Sequence, residues 1–191
     1  MKRFGWLVIA AMVLFGAAYF ASPFLAWRTI RESVRNADER EMARTIDLPS
    51  VRGGLKGQLR ALFAGRISAD PRLKDNPYAS LGLKLLPALV ARMTDAYLTP
   101  EAIAVMVSEG RPPLKPGETV ALGGGTRLSV RYAYLGLDTV RVTAAGPGNP
   151  DAPLEFLLQR RHLFTWRLVR ITLPPEAFTA AEDRGAARSP A

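Results

Sequence analysis

The feature that most constrains this chain is a long run without charge. Phe4 to Trp27 reads FGWLVIAAMVLFGAAYFASPFLAW, and between Arg3 and Arg28 the one ionisable side chain is Tyr19, neutral at pH 7. As a helix this run reaches about 36 Å, against a hydrocarbon core of about 30 Å. A charge at mid-bilayer is costly, so its absence over this length is informative. The soluble alternative needs a helix that is apolar on every face, which small domains rarely accommodate. The run is expected to address the chain to a membrane.

Two forms of targeting compete. A secretory signal peptide would use Met1-Lys2-Arg3 as its basic start and Gly16-Ala17-Ala18 as its cleavage site. Tyr19-Phe20-Ala21 is a poorer site, because Tyr19 is bulky. An uncleaved anchor is the expectation, since apolar sequence continues past Ala18 to Trp27, longer than a signal core needs. Trp6 at one end, and Tyr19 and Trp27 at the other, suit the two interfacial belts. Lys2 and Arg3 would hold the N-terminus in the cytoplasm, although Arg28, Arg31 and Arg35 beyond the run pull the other way. Ala17 and Ala21 have the spacing of a small-residue packing pair, but alanine is too common in this chain for that to signify.

The chain beyond the anchor is long enough for one domain with a real core. Cysteine is absent, which excludes disulfides and thiolate metal sites and selects no compartment. The formal net charge of +9 invites a nucleic-acid reading. Its carriers, 21 Arg and 5 Lys, are scattered, with Lys2-Arg3 and Arg160-Arg161 the only adjacent pairs. Nucleic-acid binders cluster such residues on a face or in a motif, so no nucleic-acid partner is expected. Attraction to an anionic membrane surface accounts for dispersed positive charge more simply.

Along the chain the signals change from helical to strand-like. Ser22-Pro23 reads as a cap with proline at the first helical position, so a kinked or new helix is expected there, with Trp27, Ile30, Val34 and Ala37 on one face. Asn36-Ala37-Asp38 stops it. Asp38 and Glu41 have capping-box spacing and predict a short helix to about Thr45, with Met42 and Ile46 inward. After Asp47-Leu48-Pro49-Ser50, a helix places Val51, Leu55, Leu59, Leu62 and Phe63 on one stripe despite Gly53, Gly54 and Gly57. Those glycines beside Lys56 are no phosphate loop, because Lys56 precedes Gly57 and no strand leads in. A loop is predicted over Ile67 to Pro77. A helix over Tyr78 to Tyr97 should come next, carrying Leu81, Leu85, Leu89, Met93 and Ala96 and kinked at Pro87. Thr99-Pro100-Glu101 opens another helix, ended by Gly110. Period-two alternation then predicts strands over Arg127–Leu135 and Thr139–Thr143, and a hairpin of Leu154–Gln159 with Thr165–Leu173.

Helices first and strands later give α+β: an N-terminal transmembrane helix, then several helices packed on a C-terminal antiparallel sheet of about four strands. The expected division is an anchor over 1–27, an extracytoplasmic domain over 28–174 and a disordered tail over 175–191.

Chemistry-bearing residues are sparse. His162 is the one histidine, placed in a hairpin tip, and a solvated turn residue is the plain reading. No Gly-x-Ser-x-Gly elbow accompanies Ser108 or Ser129. Gly123-Gly124-Gly125 lacks the dinucleotide fingerprint. Asp38 and Asp47 are explained by cap and turn roles. Asp95, next to Tyr97 on a largely apolar helix, is the acid to inspect for burial. Tyr132, Tyr134 and Trp166 can line a concave sheet, with core packing the default. Asp47, Asp95, Tyr132, Tyr134 and Trp166 are therefore the candidate pocket or interaction residues; no catalytic residue, metal site or cofactor is assigned.

Several stretches together carry a resemblance. They are Ala21-Ser-Pro-Phe-Leu-Ala-Trp-Arg28, Ile46-Asp-Leu-Pro-Ser-Val-Arg52, Leu98-Thr-Pro-Glu101, and the hairpin from Leu154-Glu-Phe-Leu-Leu to Phe164-Thr-Trp-Arg-Leu-Val-Arg-Ile171. With the anchor, they resemble a bacterial family catalogued as domain of unknown function 2939, over about Phe4 to Pro174. The resemblance implies a membrane-anchored extracytoplasmic protein with no assigned activity. More remotely, the early helix and the Trp-Arg-Leu-Val hairpin are similar to the nuclear-transport-factor-2-like superfamily, which implies helices folded over a curved sheet around a pocket. This chain departs from that pattern in its many helical residues before the sheet. The expectation is thus a single-pass protein of the bacterial inner membrane, N-terminus cytoplasmic and domain periplasmic. It would serve as a non-catalytic binding or envelope-structural module whose partners are the lipid bilayer and another envelope protein. The alternative is a small-molecule or lipid pocket protein, enzymatic or not.

Overall fold

The computed structural model describes residues 2–69, 88, 99–113, 118, 127–147 and 150–174. The helix expected over Tyr78–Tyr97, including Pro87 and Asp95, the turn at Gly123–Gly125 and the tail from 175 fall outside these residues.

The uncharged run forms the first part of one helix, α1, Lys2–Arg35, which carries Pro23 inside it. It is long and apolar enough to cross a membrane. Its surface changes character along its length. From Gly5 to Phe15 every position is exposed, whereas Ser22, Pro23, Trp27, Ile30, Ser33 and Val34 are buried, mostly at three- and four-residue spacing. The first stretch is apolar all round; the second is an amphipathic core helix. No new helix begins at Ser22. Serine followed by proline has the same local signature at a helix start and at an interior proline, and here the serine hydroxyl bonds back into the preceding turn and keeps α1 whole.

α1 stops in a Schellman arrangement: Ala37 donates to the Val34 carbonyl and Asp38 to that of Ser33, with Ala37 in the left-handed region at φ 51°. Asp38 caps α2, Glu39–Thr45, its carboxylate accepting from the amides of Arg40 and Glu41. The reciprocal half of a capping box is missing, because the Asp38 amide is already used by Ser33. Met42 and Ile46 are buried as their spacing required. α3, Leu48–Ala69, buries Val51 and Leu55 fully. It runs three residues into the predicted loop, since Ile67-Ser68-Ala69 contains no breaker; Asp70-Pro71 is the first pair that disfavours helix.

α4, Pro100–Glu109, starts and ends as its sequence dictates. The Thr99 hydroxyl accepts from the Ala102 amide, and Gly110 closes the helix at φ 61°. A Cβ on Gly110 would lie 2.9 Å from the Gly146 nitrogen, and one on Gly146 would strike the Glu109 carbonyl. Two facing glycines thus let the end of α4 touch the sheet backbone. Just beyond, Arg111 pairs with Glu109 and Glu118, each at 2.6 Å.

The sheet is a meander in the order β1-β2-β3-β4, all antiparallel: β1 Ser129–Gly136, β2 Thr139–Ala145, β3 Leu154–Arg160 and β4 Trp166–Thr172. The predicted strands are met within about two residues. Alternation puts Val140, Val142, Ala144, Leu154, Phe156 and Leu158 on one fully buried face. A register shift opposite Leu157 and Leu158 lets β4 keep both Leu168 and Ile171 on that face. Against it lie Trp27, Ile30 and Val34 of α1, Met42 and Ile46, Val51 and Leu55 of α3, and Ile103, Met106 and Val107 of α4. This is the expected α+β layering, helices on one face of an antiparallel sheet.

The helix ends generate two predictions. A Cβ in the left-handed region costs about 1 kcal/mol or more. Ala37→Gly should therefore raise the unfolding free energy by about 1 kcal/mol, read by thermal unfolding of the full chain in detergent. In the first turn of α4, the Glu101 carboxyl is held below its usual value, first by the Thr99 hydroxyl, then by its own backbone amide and by Arg52, against an opposing effect of burial. A depressed folded value means that the ionised form stabilises the fold above the unfolded value, and that this is lost as pH falls through the folded value. Glu101→Gln should cost about 0.5 kcal/mol at pH 7, the scale of an acid at a helix N-terminus. The difference between the two proteins should vanish on acidification below the folded value.

Candidate functional site

The described residues gather their unusual polar contacts at one place, where α1 crosses the inner face of the sheet. Pro23 has no amide proton, so the carbonyl four residues earlier, Tyr19, loses its helical donor. The Ser22 hydroxyl donates to that carbonyl at 2.7 Å. The same oxygen accepts from the Trp166 indole nitrogen at 2.8 Å, across 144 residues of sequence. Ser22 thus closes the gap in α1 and fastens the helix to β4 with one atom.

Arg160 completes the cluster. It ends β3 in register with Trp166, on the inward side set by Leu154, Phe156 and Leu158. Its side chain is only 5% exposed. The guanidinium lies between two rings, 3.7 Å from the centre of Tyr19 and 4.2 Å from that of Trp166. Nη1 donates to the Leu163 carbonyl and reaches Ser22 Oγ at 3.5 Å, while Nε meets the Leu137 carbonyl at 3.3 Å and Asp138 Oδ1 at 3.4 Å. Nη2 is buried without a partner among the described residues. A charge with rings on both faces and several oxygens at its edge is stabilised by cation–π attraction and hydrogen bonds rather than by one close carboxylate.

β1 runs antiparallel to α1 and meets it in step. Tyr132 packs on Phe24 with ring centres 4.3 Å apart, and Tyr134 on Phe20 at 6.0 Å. Two strand residues advance about 6.6 Å and four helical residues about 6 Å, so the pairs stay in register. The Tyr134 hydroxyl donates to the Phe20 carbonyl. Burial pushes the pKa of both tyrosines up, opposed by Arg31 at Tyr132 and by Arg160 at Tyr134, so both hydroxyls stay neutral near pH 7. One step further toward the helix start, Phe15 meets Phe164 of the β3–β4 turn at 5.7 Å.

The structure therefore unites three of the five residues marked from sequence, Tyr132, Tyr134 and Trp166, along one helix. Asp47 sits elsewhere, on the β4 edge. Its carboxylate accepts from the Ser50 amide at the start of α3 and pairs with Arg161 at 3.2 Å, while its amide donates to the Leu168 carbonyl. Sequence reasoning misses Ser22 and Arg160. A signal for Arg160 does exist, a basic residue continuing the inward alternation of β3. Nothing local marks Ser22 as more than a cap.

This cluster fastens α1 to the sheet. Every capacity of the Ser22 hydroxyl is engaged, His162 is exposed in the turn, and no group of three potential metal ligands occurs among the described residues. A cavity of about 340 Å³ lies on the opposite face of the sheet, lined by Arg127, Ser129, Arg131, Thr143 and three prolines. Its two arginines are exposed, and no acid or imidazole lines it. Ser22→Ala should leave both the Trp166 N–H and the Tyr19 carbonyl buried without partners, at a cost of about 1–3 kcal/mol. Trp166→Phe on that background should cost less than in the parent chain, because the indole donor then has no acceptor to lose. Denaturant unfolding in detergent of the four proteins of this cycle measures the coupling, and additive penalties would contradict the shared-atom account.

No curated protein and no solved structure matches this chain. A family model does, from Met12 in the apolar part of α1 to Met106 in α4, taking in Ser22, Asp38, Asp47 and Thr99 but ending before the sheet. Over residues 12–106 the chain matches the model of the family described as protein of unknown function, DUF2939.

Proposed function

We propose that this protein is a single-pass, membrane-anchored module of the bacterial inner membrane, its N-terminus cytoplasmic and its α+β domain in the periplasm, acting by binding or bracing rather than by catalysis. The observation that carries this reading is the continuity of α1. One helix is bare and apolar over Gly5–Leu14 and becomes a core element from Ser22 onward, without an intervening linker. A domain joined this way is held in one pose relative to the membrane, which suits a structural or docking role and gives a mobile enzyme nothing. Dispersed arginines already engaged in ion pairs, such as Arg28 with Glu32, Arg141 with Glu155 and Arg161 with Asp47, support a protein or lipid partner over a nucleic acid. The alternative, a ligand pocket between helices and sheet as in nuclear-transport-factor-2-like proteins, has less support, because Trp27, Met106 and Phe156 occupy that space.

The test uses the absence of cysteine from the chain. An Arg170→Cys variant, exposed on β4, should react with a membrane-impermeant maleimide added to spheroplasts, and the full-length chain should stay in the membrane pellet after carbonate washing. Release by carbonate, or labelling only after lysis, would overturn the reading. Mass spectrometry of the mature N-terminus separates the anchor from a cleaved signal peptide.

A further inference from the structure

Outside α1, every large apolar side chain exposed among the described residues lies in or beside two neighbouring turns. Tyr134 and Leu135 end β1, Leu137 lies in the β1–β2 turn, and Leu163 and Phe164 in the β3–β4 turn, with exposures from 39% to 67%. Both turns lie at the same end of the meander, and both reach α1, through Tyr134 at Phe20 and Phe164 at Phe15. Exposed apolar residues scattered singly need no explanation, but confinement to one end does.

The length of α1 supplies it. The part of α1 clear of the domain, Gly5 to Leu14, spans about 15 Å, half of a hydrocarbon core of about 30 Å. A span beginning at Gly5 needs about 20 residues, to about Phe24. Phe15 would then lie about 14 Å and Phe20 about 6 Å inside that limit. Whatever touches those residues goes in with them. We infer that the β1–β2 and β3–β4 turns enter the outer leaflet of the bilayer crossed by α1, giving the domain a second lipid contact through Leu135, Leu137, Leu163 and Phe164.

The polar atoms of this end are arranged for that position. The Arg160 guanidinium is covered by Tyr19 and Trp166, and its Nε lies 3.4 Å from Asp138 Oδ1, which gives the buried cation a partner while the Asp138 side chain stays 71% exposed. Backbone groups of the β3–β4 turn bond internally, Arg161 to Thr165 at 2.8 Å and Thr165 to His162 at 3.2 Å. Bonds closed within the turn reduce the number of backbone polar groups that lipid would leave unsatisfied. At the other end of the sheet, the β2–β3 connection carries Pro147, Pro150 and Asp151 and no large apolar side chain among its described residues.

The inference rests on α1 being an anchor, and the test separates the two. Leu137→Cys, Leu163→Cys and, as control at the far end, Asp151→Cys are labelled with an environment-sensitive fluorophore in the full chain. They are reconstituted in vesicles of phosphatidylethanolamine and phosphatidylglycerol. Flotation with the vesicles reports the anchor itself. With the chain floated, probes at Leu137 and Leu163 should shift to the blue, be quenched by spin-labelled lipid and lose quenching by aqueous iodide, while Asp151 shows the reverse. Iodide quenching equal to that of Asp151 at both turn positions overturns the inference and leaves the anchor standing. Protection from both quenchers that depends on protein density also overturns it, and points to a second copy of the chain on these turns.

Discussion

Pro23 deletes one donor from α1, and the hydroxyl beside it restores a bond to the stranded Tyr19 carbonyl. That substitution is what allows a single helix to be apolar all round at one end and a one-faced core element at the other. Had the ladder broken at Ser22, the chain could have turned away, and Trp27, Ile30 and Val34 would have had no fixed approach to the sheet. The same oxygen receives the Trp166 indole, so repair of the helix and attachment to β4 are one event. An alanine in place of Ser22 would keep the helix propensity and lose the registration.

The rest of the fold extends this logic to the edge of the sheet. A four-stranded meander has two edges, and an open edge invites pairing with other chains. The β4 edge is filled by the helical half of the molecule. Ile46 forms a one-residue parallel bridge with Leu168, and the Asp47 amide donates to the Leu168 carbonyl at 2.9 Å. Further along, Gln58 of α3 acts as a stand-in peptide group, donating to the Ile171 carbonyl at 2.7 Å and accepting from the Leu173 amide at 3.0 Å. Arg167 reaches back to the Arg44 carbonyl at the end of α2. The early helices therefore cover the sheet and close its last strand, which explains why α2 is so short: its job ends where Ile46 must become extended.

Local chemistry is legible in this sequence and long-range chemistry is not. Asp38, Thr99-Pro100 and Gly110 act through atoms within four residues, so their roles can be read directly from spacing. Strand alternation reveals the inner face because burial repeats every second residue. The Ser22-Pro23 pair leaves a continuing and a new helix both open because its local signature has two solutions, and the contact that favours the continuing one comes from Trp166, far along the chain. α3 outruns its predicted end for the opposite reason: composition makes a loop of residues that carry no breaker. Of the candidate site, the aromatics are visible as types suited to a curved sheet, yet hydropathy assigns their common partner, α1, wholly to the membrane up to Trp27. Residues apolar enough for lipid are apolar enough for a core, and hydropathy does not distinguish them.

Arg160 shows how far that ambiguity is resolved by shape. Strand register forces its side chain to the same face as Leu158 and Phe156, and a one-residue slip would expose the whole β3 core. The charge must therefore be accommodated where it falls. A lysine ammonium in that position would be a strongly hydrated point charge between two rings. A guanidinium is flat and weakly hydrated, so Tyr19 and Trp166 can each cover a face while its edge stays free for hydrogen bonds. The oxygens at that edge, from Leu137, Asp138 and Leu163, are supplied by the two turns. Arginine at the strand end thus ties both turns to the helix at once, and the turns owe their common position against α1 to a charge that neither could neutralise alone.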